Sequence, residues 1–495
     1  MIEIKNLTII FFTFLTVYFS IKPKKTRIIS LNMVSISIIS ILSLYITKVI
    51  NIDIIYLGIF GNGFFRPIKI IIIFFTTAYS SISTDITGIF DFFAYRIVRY
   101  SKGNGKTLFL YFYIFSIILT IFTSNDIVIL TLTPIIFYLG KHAHINIIPL
   151  LFAEFFGANT SSMLLYIGNP TNIIVANTAG IKFNEYFANM LIPTIIAIIS
   201  NFILLYIYFR KTFTRKYEIN HNSTYIIKNK YDAVISLILI FLMLIALILS
   251  ENFNIKIYII TLFFSILFVI EDIIFAIYYK ICHYTEKRYK SSTIRFFKTV
   301  IPKEKNDFLI SIGRIPWKIL PFLLSIFIMI KALEINGFIT DTAILLSTLI
   351  KGKFSASIII ATVSAILANL INNQPMTIFM SSVVKNSFFT NQSEIRQISN
   401  YSIIIASNLG ANLTLIGALA GIMWSQIIQK KGLEITYITF LKAGFFITPI
   451  TIFLSIIGLW KHMGSVLKGF SKQIFLIYTY FIIFIENEIS LNISL

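Results

Sequence analysis

The stretch that organises this chain is Ile167-Gly-Asn-Pro-Thr-Asn-Ile-Ile-Val-Ala176, where glycine, proline, two asparagines and a threonine interrupt an apolar run. In a bilayer, each backbone group freed by such an interruption costs several kcal/mol unless protein or water satisfies it. A second interruption, Ser407-Asn-Leu-Gly-Ala-Asn-Leu-Thr-Leu-Ile-Gly417, lies in the other half of the chain. Two interrupted segments in corresponding halves predict the binding site of a carrier.

The composition is that of a membrane protein with several spanning helices. Of 495 residues, 57% are hydrophobic and 13% are charged, and the mean hydropathy is +0.85, whereas soluble domains are about 25% charged. The net charge of +21 does not indicate nucleic acid binding, because the lysines and arginines are concentrated in short loops between apolar runs. The single cysteine, Cys282, excludes a disulfide framework within the chain. We therefore expect an integral protein of a bacterial-type plasma membrane, surrounded by lipid and without a nucleic acid partner.

Interrupted apolar runs also occur earlier in each half. The run 107–140 is broken at Thr123-Ser-Asn-Asp126, and the run 355–384 is broken at Asn372-Asn-Gln-Pro375. Basic residues flank both ends of the first run, which favours a hairpin that enters and leaves on one side over a single long helix. The segment Asp85–Tyr100 is amphipathic and is expected to lie at the membrane interface, with a poor spanning helix as the alternative.

Similar spacings relate the two halves, since Gly88 and Asn125 are 37 residues apart and Gly337 and Asn372 are 35 apart. The next intervals also agree, at 44 residues from Asn125 to Asn169 and 40 from Asn372 to Asn412. An odd number of predicted crossings separates the hairpins, so they should enter from opposite faces. We predict an all-α polytopic membrane protein with inverted-topology repeats, each with a re-entrant helical hairpin and a discontinuous transmembrane helix. The predicted divisions are N-terminal membrane helices (1–50), a first repeat (51–209), basic cytoplasmic loops with a linking helix pair (210–316), a second, inverted repeat (317–460) and an apolar tail (461–495).

The candidate binding site consists of four polar breaks, Ser124–Asp126, Gly168–Asn172, Asn372–Pro375 and Gly410–Thr414. Amino ends of half-helices favour anions or hydroxylated solutes, and unwound carbonyls with Asn, Ser and Thr oxygens can bind a cation. The alternative is that each break is a kink satisfied by neighbouring helices. The candidate substrate or ion ligands are Ser124, Asn125, Asp126, Gly168, Asn169, Thr171, Asn172, Asn372, Asn373, Gly410, Asn412 and Thr414.

Two acidic residues are candidates for proton coupling. Asp126 is the only acid inside a polar break, and a carboxyl group at that depth is a functional hypothesis by default. A helix cap or a salt-bridged structural acid is the alternative for Asp126. Glu154 lies about four turns before Gly168 and is either a second proton station or a hydrogen-bonded structural carboxyl. Lys331 and Glu334 are expected to pair or to snorkel.

No enzyme signature is present in the sequence. The five histidines lie in or beside polar loops without metal-ligand spacing, and no phosphate-binding glycine loop with a lysine occurs. We therefore expect a protein that is not an enzyme, without a metal or cofactor, which uses H⁺ or Na⁺ as a coupling ion.

These motifs resemble those of the arsenite/antimonite efflux carriers, members of the ion transporter superfamily that also contains citrate/dicarboxylate carriers and sodium/proton antiporters. The matching stretches include Ser124-Asn-Asp126, Ile167–Ala176, Asn372-Asn-Gln-Pro375 and Gly410-Ala-Asn-Leu-Thr-Leu-Ile-Gly417. The resemblance implies proton-coupled export of the neutral trihydroxide of As(III) or Sb(III), with a soluble ATPase partner in some members. A homodimer is a further expectation.

The resemblance also shows departures and leaves alternatives open. Gln374 stands where an apolar residue is expected, and Leu415 stands where proline is usual. The main hypothesis is proton-coupled efflux of arsenite, antimonite or a similar small inorganic solute. The alternatives are sodium-coupled uptake of citrate or a dicarboxylate, and sodium/proton antiport through Asp126. A channel and a non-transporting membrane scaffold are the alternatives from other functional classes.

Overall fold

The structure is a computed structural model that describes residues 2–21, 23–25, 30–61, 66–143, 145–213, 230–250, 253–288 and 307–463. Two short strands, β1 (Lys24–Lys25) and β2 (Ser30–Leu31), pair antiparallel. The helices are α1 (Ile2–Ile21), α2 (Met33–Ile46), α3 (Ile52–Phe60), α4 (Pro67–Ile86), α5 (Ile89–Tyr100), α6 (Gly105–Phe122), α7 (Asn125–Ala143), α8 (Ile148–Ser161), α9 (Pro170–Ala179), α10 (Phe183–Phe209), α11 (Lys230–Leu249), α12 (Ile257–Arg288), α13 (Asp307–Arg314), α14 (Ile319–Ile335), α15 (Phe338–Leu349), α16 (Lys353–Ile371), α17 (Asn373–Lys385), α18 (Ser393–Leu409), α19 (Leu419–Lys430) and α20 (Tyr437–Met463).

The helices confirm the prediction of an all-α polytopic membrane protein. Within the described ranges, seven helices are long and apolar enough to cross a membrane. The number is eight if Phe308–Ile335 and Phe338–Leu349, which meet at 73°, count as one span. Most of the predicted apolar tail, 461–495, lies outside the described residues, which end at 463.

The helices form two series with the same order, α4–α10 and α14–α20. Gly88 precedes α5, and Gly337, 249 residues later, precedes α15. Both have a left-handed backbone, with φ of 81° and 86°, which glycine adopts without strain. Asn125 and Asn373, 248 residues apart, begin α7 and α17. The correspondence predicted for Gly88 and Gly337 is therefore present as a repeat of elements.

Helices α6 and α7 form a hairpin with both ends at the carboxyl end of α10. Near the start of α6, the ring of Phe109 lies 4.9 Å from that of Phe213, which follows α10. Just after α7, the side-chain amide of Asn146 donates to the Thr212 carbonyl oxygen at 3.1 Å. The tip of the hairpin lies away from this end, because Asn125 is bonded to Asn159 near the end of α8.

Helices α16 and α17 form the corresponding hairpin, with both ends beside the start of α18. Lys353, the first residue of α16, forms an ion pair with Glu394. Arg396 donates to the carbonyl oxygen of Lys385, the last residue of α17, at 2.6 Å. The tip at Asn373 lies against the far end of α18, where its side-chain amide donates to the Ser407 carbonyl oxygen at 3.2 Å.

The two hairpins open toward opposite ends of α10. The start of α18 contacts the start of α10, where Gln397 donates to the Glu185 carboxylate at 2.7 Å. With 27 residues, α10 is about 40 Å long, so its two ends are well separated. Inverted repeats require hairpins that open in opposite directions, as these do. That the hairpins are re-entrant and the repeats inverted relative to a membrane stays a prediction.

The two series interlock around the breaks. Helix α9 packs against α17, and its counterpart α19 packs against α7. Helices α10 and α20 pack along each other. Each hairpin thus contacts the second half of the broken helix from the other series, and this contact places all four breaks in one region.

Two helix boundaries differ from the predicted ones. Helix α5 begins at Ile89, so Asp85 belongs to the last turn of α4, because Gly88 turns the chain between them. The apolar run at about 28–50 predicts a longer second helix, whereas α2 covers Met33–Ile46, because Asn32 and Ser35 form a capping box that fixes its amino end.

Candidate functional site

The first broken helix consists of α8 and α9, joined by a tight turn. At Gly168, a Cβ atom would lie 2.4 Å from the carbonyl oxygen of Ser162, so only glycine fits. The side-chain amide of Asn172 donates to the carbonyl oxygens of Ser162 and Leu165 at 2.7 and 3.0 Å. Asn169 caps α9 by accepting from the Thr171 amide at 3.1 Å. Asn172, in the first turn of α9, therefore satisfies two of the carbonyl groups freed by this break.

The second broken helix consists of α18 and α19, with a 3₁₀ turn over Gly410–Asn412. Asn369 of the neighbouring α16 donates to the Gly410 carbonyl oxygen at 2.9 Å and accepts from the Thr414 hydroxyl at 2.7 Å. At Gly417, a Cβ atom would lie 2.8 Å from the side-chain oxygen of Asn369. A side chain of the hairpin, rather than of the break itself, thus satisfies this turn.

Each hairpin tip bonds the broken helix of its own series. The amide of Asn125 donates to the Gly168 carbonyl oxygen at 3.3 Å, and the amide of Asn373 donates to the Gly417 carbonyl oxygen at 3.0 Å. The matching bonds show that Gly417 is the counterpart of Gly168. The spacing-based pairing of Asn125 with Asn372 and of Asn169 with Asn412 is therefore wrong, by one residue in the hairpin and by six in the broken helix.

The predicted breaks also differ in length from the observed ones. In the second hairpin, the break predicted over Asn372–Pro375 is confined to Asn372, because a proline in the first turn of a helix loses no intrahelical hydrogen bond. The first hairpin breaks at Thr123 and Ser124, and Asn125 already belongs to α7.

The broken helices are interrupted over wider ranges than predicted. The non-helical stretch between α8 and α9 covers 162–169, instead of 168–172, because Pro170 already occupies the first position of α9. The second interruption runs from Gly410 to Ala418 rather than to Thr414. Glu154 consequently lies about two turns, rather than four, before the start of the first interruption.

Asn159, which is not among the predicted ligands, links the first hairpin to the second broken helix. It accepts from the side-chain amide of Asn125 at 2.9 Å and donates to the side-chain oxygen of Asn412 at 2.9 Å. All three side chains are buried. The chain of amides therefore connects both series through the interior.

Asn408, 249 residues after Asn159, provides the reciprocal link and was also missed. Its side-chain oxygen accepts from the Ser162 hydroxyl at 2.7 Å and from the Asn169 amide at 2.9 Å. Its side-chain nitrogen donates to the Asn172 side-chain oxygen at 2.7 Å. The sequence signal for both residues is a buried amide in the last turn of an apolar helix at the repeat offset.

The candidate residues divide by what their side chains do. Gly168, Gly410 and Thr414 serve the backbone turns, and Asn372 donates to the Ile416 carbonyl oxygen at 3.1 Å. Ser124 is half-buried in the first hairpin turn. The candidates that the structure brings together across the two series are Asn125, Asn169, Thr171, Asn172 and Asn412.

Asp126 lies in the first turn of α7, beside this network. Its backbone amide donates to the side-chain oxygen of Asn125 at 3.0 Å, and its side chain is half-buried. No residue that the structure describes forms a hydrogen bond or an ion pair with the Asp126 carboxylate. The salt-bridged alternative therefore finds no partner within the described ranges, and the carboxylate is free to bind a proton or a cation.

Glu154 is fully buried between α7, α8 and α19. One carboxylate oxygen accepts from the Thr133 hydroxyl at 2.8 Å. The other oxygen and the indole nitrogen of the neighbouring Trp424 make no hydrogen bond of good geometry within the described part of the chain. The side chain thus has the hydrogen-bonded setting of a structural carboxyl, with one oxygen left for a proton.

Comparison with known proteins adds information that the geometry does not contain. A family model described as a citrate transporter matches residues 16–399, which include both hairpins and the first broken helix. An arsenical pump membrane protein of Escherichia coli is 24% identical over 395 residues, covering 78% of this chain and 85% of that protein. A 46 kDa membrane protein of Mycobacterium leprae is 24% identical over 378 residues, covering 76% and 81%. An uncharacterized transporter of Synechocystis is 23% identical over 395 residues, covering 73% and 79%.

Proposed function

The chain belongs to the citrate transporter family, and from that premise we propose that it exports arsenite, antimonite or a similar small inorganic solute in exchange for protons. It is a membrane transporter, since both the family and its apolar helices indicate this class. The relatives named as arsenical pumps support the choice of solute. The resemblance noted from the motifs is confirmed at the level of the family.

The observation that carries the proposal is the uncharged amide network between the two series. Asn159 and Asn408 connect the interruptions by hydrogen bonds of 2.7–2.9 Å, and no lysine or arginine takes part in these bonds. Amide groups can donate to and accept from a neutral trihydroxide without a counter-charge. Asp126 is the carboxylate beside this network and is the proposed proton carrier.

The proposal is tested in everted membrane vesicles with an acid-inside proton gradient. Wild-type vesicles should accumulate arsenite, and a protonophore should abolish accumulation. Asp126→Asn keeps the size of the side chain but cannot carry the proton, so it should abolish gradient-driven accumulation. Asp341→Asn, at an exposed acid of α15, is the matched control and should transport normally.

Two results would contradict the proposal. The absence of gradient-dependent arsenite or antimonite uptake by wild-type vesicles that contain folded protein would reject the function. Full uptake by Asp126→Asn would reject Asp126 as the proton carrier but not the transported solute.

A second candidate is sodium-coupled uptake of citrate or a dicarboxylate. The description of the matching family favours it, as do the asparagine, serine and threonine oxygens at the interruptions, which are hard ligands of the kind that bind Na⁺. Sodium-dependent citrate uptake into proteoliposomes, with no response to arsenite, would decide for this candidate.

A further inference from the structure

Two buried polar atoms of α8 and α19 lie close together without forming a hydrogen bond. The side chains of Glu154 and Trp424 are both completely buried. The Oε2 atom of Glu154 and the Nε1 atom of Trp424 have no partner of good hydrogen-bond geometry within the described part of the chain, although the indole lies within interaction range of the carboxyl group. A carboxylate oxygen accepts and an indole nitrogen only donates, so each atom is the partner that the other needs.

Aromatic packing holds the Trp424 indole against α8. Its ring lies 5.0 Å from the ring of Phe155 and 5.8 Å from the ring of Phe152. The other carboxylate oxygen of Glu154, Oε1, accepts from the Thr133 hydroxyl of α7 at 2.8 Å. Glu154 therefore lies between a hydroxyl group of its own series and an indole of the second series.

The carboxyl group of Glu154 has no positively charged partner among the described residues. Thr133 and Trp424 are the side chains that interact with it, and from α10 and α18, which also pack against α8, no charged side chain within the described ranges does so. Two titratable groups lie on the remaining packed helices. Asp126 is about 10 Å from Thr133 along α7, and Tyr113 of α6 donates to a backbone carbonyl of α10. A glutamate is almost never fully buried unless it is paired, so packing alone does not account for this carboxyl group.

The repeat itself does not require the acid or the indole. At the positions 249 residues away in the other series, Glu154 is matched by Ile403 and Trp424 by Val175, and both counterparts are completely buried. The hydroxyl group is retained as Ser381, and its oxygen has no partner in the part of the chain that the structure describes. The corresponding helices therefore pack with apolar side chains at these two positions.

Asp126, the proposed proton carrier, has a neutral counterpart as well. Gln374 stands 248 residues after it at the tip of the second hairpin, so both carboxyl groups belong to the first series. Glu154 lies between the amide network and the end of α10 where the first hairpin opens, because α8 begins just after Asn146, which bonds Thr212 there. That end leads into the segment predicted to be cytoplasmic, toward which protons move in the proposed exchange.

The protonation state of the Glu154 carboxyl group determines whether it needs the indole. An ionised carboxylate accepts on both oxygens; the Thr133 hydroxyl serves Oε1, and the Trp424 indole is the donor beside Oε2. A proton on Oε2 takes the place of that donor. Loss of the proton to water therefore favours a bond between the indole and Oε2, and binding of a proton releases this bond.

The geometry points to a second proton-binding site at Glu154, with Trp424 as the positioning residue that donates to the ionised carboxylate. Because Glu154 belongs to α8 and Trp424 to α19, the proton controls a contact between the two series outside the amide network. The inference goes beyond the proposed function, because it concerns a second carboxyl group and does not depend on the transported solute.

The experiment follows the fluorescence of Trp424 in the full chain, reconstituted in nanodiscs. Trp317 and Trp460 are 50% and 38% exposed, so replacing both with phenylalanine leaves Trp424 as the single fluorophore of a chain with three tryptophans. The pH is varied from about 5 to about 9, the range in which a coupling group must titrate. The emission should change in one protonation step. Glu154→Gln keeps the size of the side chain but cannot ionise and should abolish the step, whereas Asp126→Asn should retain it.

Infrared difference spectra give a second readout, because the carbonyl band of a protonated carboxyl group disappears on ionisation. The band that is missing in Glu154→Gln belongs to Glu154. Trp424→Phe keeps an aromatic ring beside Phe155 but has no donor, so the band should disappear about one pH unit higher or more, the shift expected for one lost hydrogen bond to a charged group. As the matched fluorescence control, a chain with Trp317 as its single tryptophan should show no step that depends on Glu154.

The inference is overturned if the Trp424 emission shows no step in this range, or if the step persists in Glu154→Gln or is lost in Asp126→Asn. It is also overturned if Trp424→Phe leaves the pH dependence of the infrared band unchanged. Both measurements are made without arsenite, so their failure leaves the proposed function untouched, and a failure of arsenite transport leaves this site untouched.

Discussion

Replacing Asn408 with alanine should weaken the connection between the two halves of the protein. Asn408 is completely buried and bonds three side chains of the other series, Ser162, Asn169 and Asn172, at 2.7–2.9 Å. Hydrogen bonds between membrane helices contribute about 0.6 kcal/mol on average, so three give about 2 kcal/mol. The variant also leaves three buried partners unsatisfied, which adds to the cost, so we expect a loss of at least about 2 kcal/mol.

The matched control is an asparagine with bonds inside one series. Asn177 of α9 donates to the Tyr166 hydroxyl at 2.8 Å and to the Ile173 carbonyl oxygen at 3.0 Å. Asn177→Ala should therefore cost about 1 kcal/mol. Denaturant unfolding in detergent micelles measures both free energies, and vesicle uptake measured alongside shows whether the looser connection changes transport.

Two outcomes would refute this reasoning. If Asn408→Ala loses less than about 0.5 kcal/mol, the average cross-helix bond does not describe this network. If it loses no more than Asn177→Ala, the links between the series are no stronger than local ones.

Three further changes test single contacts. Gly168→Ala places a Cβ 2.4 Å from the Ser162 carbonyl oxygen, so the folded yield in membranes should fall sharply; normal yield and uptake would show that the turn can relax. Thr133→Val removes the donor to the buried Glu154 and should lower the unfolding free energy by about 1–3 kcal/mol, whereas an unchanged value would mean that the carboxyl finds another donor. Gln374→Met removes a buried carbonyl oxygen that has no partner among the described residues, so unfolding measurements should show equal or greater stability; a loss above about 1 kcal/mol would contradict this.

Local chemistry was sufficient to locate the elements around the site. Polar and helix-breaking residues interrupt an apolar run within a single segment, so the regions of all four breaks were visible in the apolar runs. Gly88 and Gly337 were paired correctly, because each forms a left-handed turn directly before a 12-residue helix. The lysine and glutamate at 331 and 334 were paired because residues three apart share one helix face.

The register between the halves could not be predicted in the same way. Spacing paired Asn169 with Asn412, whereas the bonds from the hairpin tips pair Gly168 with Gly417. The second interruption begins with a 3₁₀ turn over Gly410–Asn412. The positions of proline and glycine in the sequence do not show how long the non-helical stretch is. The register between the halves depends on which carbonyl oxygen accepts from which amide. These contacts form only when the helices pack together.

The sequence by itself determined that this is a helical membrane protein with two pairs of interrupted segments, because hydropathy and helix-breaking residues act within one segment. Only the tertiary structure decided which side chains meet there. Asn159 and Asn408 were not among the predicted ligands, yet they join the two series. Glu154 and Trp424, 270 residues apart, likewise meet only because the indole of α19 packs against α8. Contacts between distant segments depend on how the helices pack, and no local pattern specifies that.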